Sequence, residues 1–121
     1  MPNGQLSYRR GEIWWVDLNP AIGSEARKER PCLILQNDTG NKLGATTIVA
    51  PIFSGSKTYP FVVTVTPTEQ NGLRGDQYIN LSQMRAIDSQ RIKQKQGVLE
   101  DIYWQQIEQA VCIQLGFSAA F

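Results

Sequence analysis

Apolar residues along this chain fall mostly into short runs of strand length, separated by turn-forming residues. The runs at residues 31–36 (PCLILQ) and 46–53 (TTIVAPIF) are continuous, which is typical of buried strands. The run at 61–66 (FVVTVT) alternates as a half-buried strand does, and residues 37–41 (NDTGN) predict a turn. The pattern predicts six or seven strands, at residues 13–18, 31–36, 46–53, 61–66, 77–81, 83–87 and 91–96. We interpret the last of these as an edge strand, because Lys93 and Lys95 alternate along it and discourage pairing with another chain.

Near the C-terminal end apolar residues recur at every fourth position, which predicts an amphipathic helix. Its apolar stripe consists of Tyr103, Ile107, Val111 and Leu115, flanked by Ile102 and Ala110. Glu100 and Asp101 place negative charge at its first turn, and Gly116 marks its end. Short strands followed by one helix predict a mainly β fold: a small β-barrel packed by a C-terminal helix.

Length and composition indicate one ordinary globular domain, spanning residues 1–121. Apolar residues make up 41% of the chain, and no internal repeat or linker interrupts it. Twelve basic residues stand against eleven acidic ones, a net charge of +1. This near-balance excludes a histone-like protein that covers many phosphates, but it allows a short nucleic-acid segment to be held by a few arginines.

The residue types that are missing restrict the chemistry further. The sequence contains no histidine, which excludes an imidazole general base and most catalytic zinc sites. Cys32 and Cys112 are isolated within apolar runs, so we interpret them as buried structural thiols and predict no metal and no cofactor. No apolar run has the length of a signal peptide or a membrane span, so we expect a reduced, cytoplasmic protein with no membrane partner.

Charge is concentrated in the loop between the first two predicted strands. Glu25, Arg27, Lys28, Glu29 and Arg30 crowd against the entry of the second strand. Loops held by rigid elements often carry catalytic and binding groups. Arg30 precedes a proline, which biases its backbone to an extended conformation. From the residues alone, this arginine is either a phosphate ligand or a solvated side chain.

Several short motifs occur along the chain in a characteristic order and spacing. They are Arg10-Gly11-Glu12-Ile13-Trp14, Asp17-Leu18-Asn19-Pro20, Gly23-Ser24-Glu25, Arg30-Pro31, Gln36-Asn37-Asp38, Ala50-Pro51-Ile52, residues 56–61 (SKTYPF), and residues 82–88 (SQMRAID) with Arg91. This set resembles the MazF/PemK (Kid) toxin endoribonucleases, the toxin halves of bacterial toxin–antitoxin pairs. The resemblance covers nearly the whole chain.

The resemblance implies an SH3-like/CcdB-like β-barrel that forms a homodimer. It also implies metal-independent cleavage of single-stranded RNA, often mRNA, at short sequence sites. In that family the 2′-hydroxyl attacks the adjacent phosphate and leaves a 2′,3′-cyclic phosphate and a 5′-hydroxyl. The implied partner is an antitoxin whose acidic, flexible C-terminal segment occupies the RNA groove.

Three residues become candidates for catalysis. Arg30 matches the Arg-Pro motif and is the expected ligand of the phosphate and its transition state. The family usually places Thr or Ser after the Ala-Pro-Ile strand, where this chain has Phe53, so Ser54 is either the assisting hydroxyl or a turn serine. Glu25 is either the general base or an ion-pair partner of Arg27 or Arg30.

One branch of the family uses an acid–base pair that this chain lacks. Some of its members carry a carboxylate at the position of Ser82, an arginine at that of Asn80, and a histidine at that of Ser24. Serine at its ordinary pKa cannot act as the general base. Any catalysis is therefore expected to follow the Arg-plus-hydroxyl arrangement of the MazF branch, with Ser82 contacting RNA.

The remaining candidates are expected to bind RNA. Gln83 and Arg85 alternate on one predicted strand and so face the same side, Gln83 for base recognition and Arg85 for phosphate, packing or a salt bridge to Asp88. Trp14 is assigned as a base-stacking residue, although alternation allows only one of Trp14 and Trp15 into the core. The alternatives are a non-catalytic RNA- or antitoxin-binding member of the family, and a CcdB-like gyrase poison.

Overall fold

The computed structural model describes residues 7–118, which form one antiparallel sheet of seven strands and a C-terminal helix. The strands are β1 (Glu12–Asp17), β2 (Glu29–Ile34), β3 (Thr46–Ser54), β4 (Val62–Val65), β5 (Gln77–Asn80), β6 (Arg85–Asp88) and β7 (Ile92–Val98). Their order is β4-β5-β3-β2-β1-β7, and β6 pairs with β3 beside this path. The sheet is barrel-like but not closed, and the prediction of a mainly β fold with a C-terminal helix is confirmed.

Strand pairing shifts several of the predicted boundaries. β2 begins at Glu29 because Glu29 and Arg30 pair with Asp17 and Val16 of β1, so Arg30 lies within a strand. The turn predicted at residues 37–41 is wrong: helix α1 (Asp38–Leu43) forms there, and the Asn37 side chain caps it by accepting from the Gly40 N–H at 2.8 Å.

The strand predicted at residues 83–87 begins two residues later. A 3₁₀ turn, Leu81–Gln83, precedes β6, because the Asn80 side chain accepts from the Ser82 N–H at 3.0 Å and bends the chain. The predicted edge strand is confirmed: β7 lies at one end of the sheet, next to β1. On this edge Lys95 Nζ lies 3.0 Å from Glu12 Oε2.

Apolar side chains form two cores, one on each face of the sheet, because successive strand residues point to opposite faces. The first core lies under the C-terminal helix and includes Ile13, Leu33, Ile52, Ile79 and Ile107. The second includes Trp14, Val16, Cys32, Ile34, Val49 and Ile87, with Phe53 packed against it. Cys32 is buried as predicted, whereas Cys112 is only half-buried.

The C-terminal helix α2 (Trp104–Leu115) follows a 3₁₀ turn and ends as predicted at Gly116, which adopts a left-handed conformation with a φ of 77°. Ile107 and Ala110 are buried, but Leu115 is 53% exposed and Ile102 is 77% exposed. The predicted apolar stripe is therefore only partly covered by this chain. Within residues 7–118, no helix has the length and apolar character needed to cross a membrane.

Candidate active site

The loop between β1 and β2 is ordered by its own hydrogen bonds. The Leu18 N–H donates to the Lys28 carbonyl at 2.9 Å, and the Lys28 N–H donates to Asn19 Oδ1 at 3.0 Å. Within the loop, Glu25 Oε1 accepts from the Ile22 N–H at 2.7 Å. Glu25 therefore uses one carboxylate oxygen to shape the loop, and it forms no ion pair with a described arginine.

Gln83 fixes this loop to the rest of the molecule. Its Oε1 accepts from the Ala26 N–H at 2.5 Å, and its Nε2 donates to the Ser24 carbonyl at 3.5 Å. Because Gln83 lies in the 3₁₀ turn, the prediction that it alternates with Arg85 on one strand is wrong. Its amide bridges two distant parts of the sequence.

A groove of about 630 Å³, here called the loop groove, opens between this loop and the start of β6. Its lining consists of Leu18, Ser24, Glu25, Ala26, Pro51, Ser82, Gln83, Met84 and Arg85. The structure thus brings together four of the predicted site residues: Glu25, Ser82, Gln83 and Arg85. Across the described residues Lys95 and Glu12 form the only ion pair, so the suggested Arg85–Asp88 salt bridge is not present.

Arg30 lies on the same face of the sheet as the second core. Its Cζ is 4.5 Å from the centroid of the Phe53 ring, and its Nε donates to the Arg27 carbonyl at 3.2 Å. Burial raises the pKa of the Cys32 thiol to about 12, while the positive charges of Arg30 and Arg85 act in the opposite direction. Arg85 pairs with Val49, and Val49 pairs with Ile34, so Arg85 lies on the same face of the sheet as Arg30.

Ser54 does not accompany Arg30 on this face. In the pairing of β3 with β5, Phe53 lies opposite Tyr78 and Ser54 lies opposite Gln77. Adjacent strand residues point to opposite faces, so the Ser54 side chain lies on the face away from the Phe53 ring and the Arg30 guanidinium. Alternation therefore separates the two side chains, but both residues line the groove described next, and the role of Ser54 as the assisting hydroxyl stays a prediction.

Ser54 and Arg30 both border a second groove of about 590 Å³, here called the amide groove. It is lined by Trp15, Glu29, Arg30, Pro31, Ile52, Ser54, Arg74, Gln77, Gln94 and Gln96. Trp15 is half-buried there, and its Nε1 donates to Gln96 Oε1 at 2.5 Å.

Trp14 is buried in the second core, where only 5% of it is exposed, and its Nε1 donates to Glu12 Oε1 at 3.0 Å. This burial contradicts the prediction that Trp14 stacks on bases. Alternation along β1 places the half-buried Trp15 on the other face, so Trp15 is the more accessible of the two.

Two residues near the site were noted in the sequence only as departures from the family. Asn80 Oδ1 accepts from the Ser82 hydroxyl at 2.6 Å, so this hydroxyl is oriented at the edge of the loop groove. An Asn two residues before a Ser is a local signal for such a turn. The Phe53 ring contacts Arg30, and no local signal reveals this contact, since the two residues lie on different strands.

Among residues 7–118, no group of three or more cysteine, aspartate and glutamate side chains is placed to hold a metal ion.

Comparison with known proteins agrees with this architecture. The profile of a family described as a PemK-like, MazF-like toxin of type II toxin–antitoxin systems matches residues 9–115. A protein of Staphylococcus saprophyticus named endoribonuclease MazF is 39% identical over 110 residues, covering 89% of this chain and 91% of that protein.

Solved structures show the same fold. MazF of Deinococcus radiodurans superposes with a TM-score of 0.77 at 24% identity, covering 93% of this chain and 99% of that one. A mycobacterial endoribonuclease in complex with its cognate antitoxin gives a TM-score of 0.76 at 20% identity, covering 93% and 98% of the two chains. Since the family profile spans most of the sequence, and a relative is 39% identical over nearly its whole length, this chain belongs to the PemK-like, MazF-like toxins of type II toxin–antitoxin systems.

Proposed function

We propose that this protein is a cytoplasmic endoribonuclease that cleaves single-stranded RNA, including mRNA, at short sequence sites without a metal ion. The observation that carries the proposal is the placement of Arg30. Its guanidinium lies over the Phe53 ring and is bonded through Nε to the Arg27 carbonyl, and its two terminal nitrogens have no partner among the described residues. A guanidinium held in this way is suited to bind the scissile phosphate.

In the proposed reaction, the 2′-hydroxyl oxygen attacks the adjacent phosphorus and the bond from phosphorus to the 5′-oxygen breaks. Arg30 binds the phosphate oxygens, whose negative charge increases in the transition state. Glu25 accepts the proton of the 2′-hydroxyl through the carboxylate oxygen that is not bonded to Ile22. A water molecule protonates the leaving 5′-oxygen, and the hydroxide that remains takes the proton from Glu25. The products are a 2′,3′-cyclic phosphate and a 5′-hydroxyl.

Besides Glu25, residues of the loop groove bind the substrate in this scheme. Arg85 contacts a second phosphate, since strand pairing places it on the same face of the sheet as Arg30. The Ser82 hydroxyl, held by Asn80, contacts RNA at the groove edge. Because the Gln83 amide is bonded to the loop, its role is to keep Glu25 in place rather than to recognise a base.

Incubation of the purified protein with a sequence-diverse RNA pool, with and without EDTA, tests the proposal. We expect the same cleavage products under both conditions, all with 5′-hydroxyl and cyclic-phosphate ends. Products with 5′-phosphate ends, or loss of cleavage in EDTA, would contradict the mechanism.

Phe53 favours a second candidate function. An aromatic ring occupies the position where the family usually has a hydroxyl, and Ser54 lies on the opposite face. A family member of this kind could bind RNA or an antitoxin without cleaving. Tight RNA binding with no products across the whole pool would favour this function over the endoribonuclease.

The proposed protein partner is an antitoxin with an acidic, flexible C-terminal segment. A mycobacterial endoribonuclease has been solved with its cognate antitoxin, and MazF of D. radiodurans with MazE. Carboxylates of such a segment would pair with Arg30 and Arg85, which share one face of the sheet. The segment would therefore compete with RNA.

We further propose that the protein is a homodimer, formed through the partly uncovered apolar stripe of α2. An apolar groove of about 490 Å³ separates α2 from the sheet, and its lining includes Leu35, Ile48, Met84, Val111 and Leu115. Ile48 is 38% exposed although it lies within β3, and Leu115 is 53% exposed. An exposed apolar face of this kind is typical of an interface.

Replacing Ile48 with aspartate is expected to convert the dimer to a monomer, since a buried, unpaired carboxylate strongly opposes association. Size-exclusion chromatography with light scattering measures the change. Ile102→Asp is the control: Ile102 is 77% exposed, does not line the groove, and should leave the dimer intact. A dimeric Ile48→Asp protein would place the interface elsewhere.

A further inference from the structure

We propose that Phe53 is a positioning residue for Arg30, holding the guanidinium in the orientation in which it binds the scissile phosphate. The inference rests on the proposed function, because it deepens the role assigned to Arg30. It gives a specific task to the residue that stands where related toxins usually have a hydroxyl.

The first support is the stack in which Phe53 takes part. The Arg30 Cζ lies 4.5 Å from the Phe53 centroid, within the distance at which a cation is attracted to an aromatic face. The Phe53 and Tyr78 rings stack with centroids 5.5 Å apart and planes inclined by 22°. Phe53 therefore contacts both the Tyr78 ring and the Arg30 guanidinium.

The second support is the hydrogen bond that fixes the guanidinium from another direction. Arg30 Nε donates to the Arg27 carbonyl at 3.2 Å, which leaves the two terminal nitrogens for a ligand. Contact with the ring restricts movement of the guanidinium perpendicular to its plane, and the Nε bond restricts rotation within it. A donor pair held in advance of binding needs less reorganisation in the transition state.

The third support is the position of Phe53 relative to the cores. Phe53 is only half-buried and packs at the margin of the second core rather than inside it. An aliphatic residue of similar size can fill that margin, but it has no aromatic face for a cation. Packing and positioning can therefore be separated by substitution.

The test compares Phe53→Leu with Phe53→Trp in steady-state cleavage of one RNA substrate. We expect Phe53→Leu to lower kcat about tenfold with a smaller change in KM, which corresponds to loss of one cation–π contact. Phe53→Trp retains an aromatic face and should stay within about threefold of wild type. Phe61→Leu is the matched control: Phe61 is also half-buried and stacked on a tyrosine, Tyr59, and its replacement should leave kcat unchanged.

A second readout does not depend on cleavage. In NMR spectra, the Arg30 Hε resonance should show a ring-current shift that disappears in Phe53→Leu and persists in Phe53→Trp. Unchanged kcat and an unchanged Hε resonance in Phe53→Leu would overturn the proposal, as would faster cleavage by Phe53→Thr than by wild type.

Comparing Arg30→Ala, Phe53→Leu and the double variant distinguishes failure of the positioning role from failure of the proposed function. If Arg30→Ala removes cleavage while Phe53→Leu does not affect it, the positioning role fails and the endoribonuclease assignment stands. If wild type cleaves no RNA, the proposed function fails, and the Hε resonance alone decides whether the ring holds the guanidinium. If both single variants lose activity, Phe53→Leu should cause no further loss in the Arg30→Ala protein.

Discussion

Replacing Arg30 with alanine is expected to lower the rate of RNA cleavage by about two orders of magnitude or more, the effect of removing one transition-state donor. The Arg30 guanidinium has one hydrogen bond within the described residues, from Nε, so its terminal nitrogens are available to the phosphate. Arg30→Lys keeps the charge but loses the planar pair of donors, and it should recover only part of the lost rate. Single-turnover cleavage of a defined RNA measures both variants.

The control for this prediction is Arg9→Ala. Arg9 is an exposed arginine that lines neither the loop groove nor the amide groove. Its removal takes away one positive charge from a surface that the mechanism does not use, and the cleavage rate should remain near that of wild type. Near-wild-type cleavage by Arg30→Ala would remove Arg30 from the mechanism.

Replacing Gly97 with alanine is expected to reduce the free energy of unfolding by about 3 kcal/mol or more. A Cβ atom at Gly97 would lie 2.4 Å from both the carbonyl carbon and the oxygen of Asn71, and 2.5 Å from the Gln70 oxygen. These are backbone atoms, so relief requires separating β7 from the 68–73 segment. Since small domains are stable by about 5–15 kcal/mol, a loss of this size is a large part of the total.

The close approach at Gly97 exists because Asn71 is fixed beneath β7. Asn71 is fully buried, and its Nδ2 donates to the Thr66 carbonyl at 2.9 Å and to Glu100 Oε1 at 3.0 Å. The Val98 N–H also donates to the Gln70 carbonyl at 2.8 Å. Widening the contact to admit a methyl group would strain or break these bonds.

Urea denaturation followed by tryptophan fluorescence measures the loss in Gly97→Ala. Gly75→Ala is the matched control, because no atom lies within 4 Å of its added Cβ and only its positive φ of 73° opposes the change. That variant should lose about 1 kcal/mol. Equal losses in the two variants would show that steric contact does not determine the effect at Gly97.

Local patterns in the sequence were sufficient to identify the secondary structure of much of the chain. The alternating run at residues 61–66 became β4, and the four-residue period from Tyr103 became α2, ending at Gly116 as predicted. These signals are local because alternation and helical periodicity depend only on neighbouring residues. The same ordered motifs identified the family, which the family profile confirms.

The sequence also limited the chemistry. The absence of histidine excluded an imidazole base, and the charged loop before Pro31 identified Arg30 and Glu25 as candidates. It did not determine on which face of the sheet the side chains of Arg30 and Ser54 would each lie. That depends on the pairing register of β2, β3 and β5. The register is set jointly by residues that lie far apart in the chain.

Tertiary structure decided the remaining features of the site. Alternation along β1 buried Trp14 and left Trp15 half-buried. The 3₁₀ turn directed the Gln83 amide to a loop nearly sixty residues away. Pairing across the sheet placed Phe53 under Arg30, a contact between residues on different strands. The sequence by itself determined the elements, the family and the available chemical groups. Only the fold determined which of those groups share a face, because each strand residue has two faces available and long-range pairing selects one.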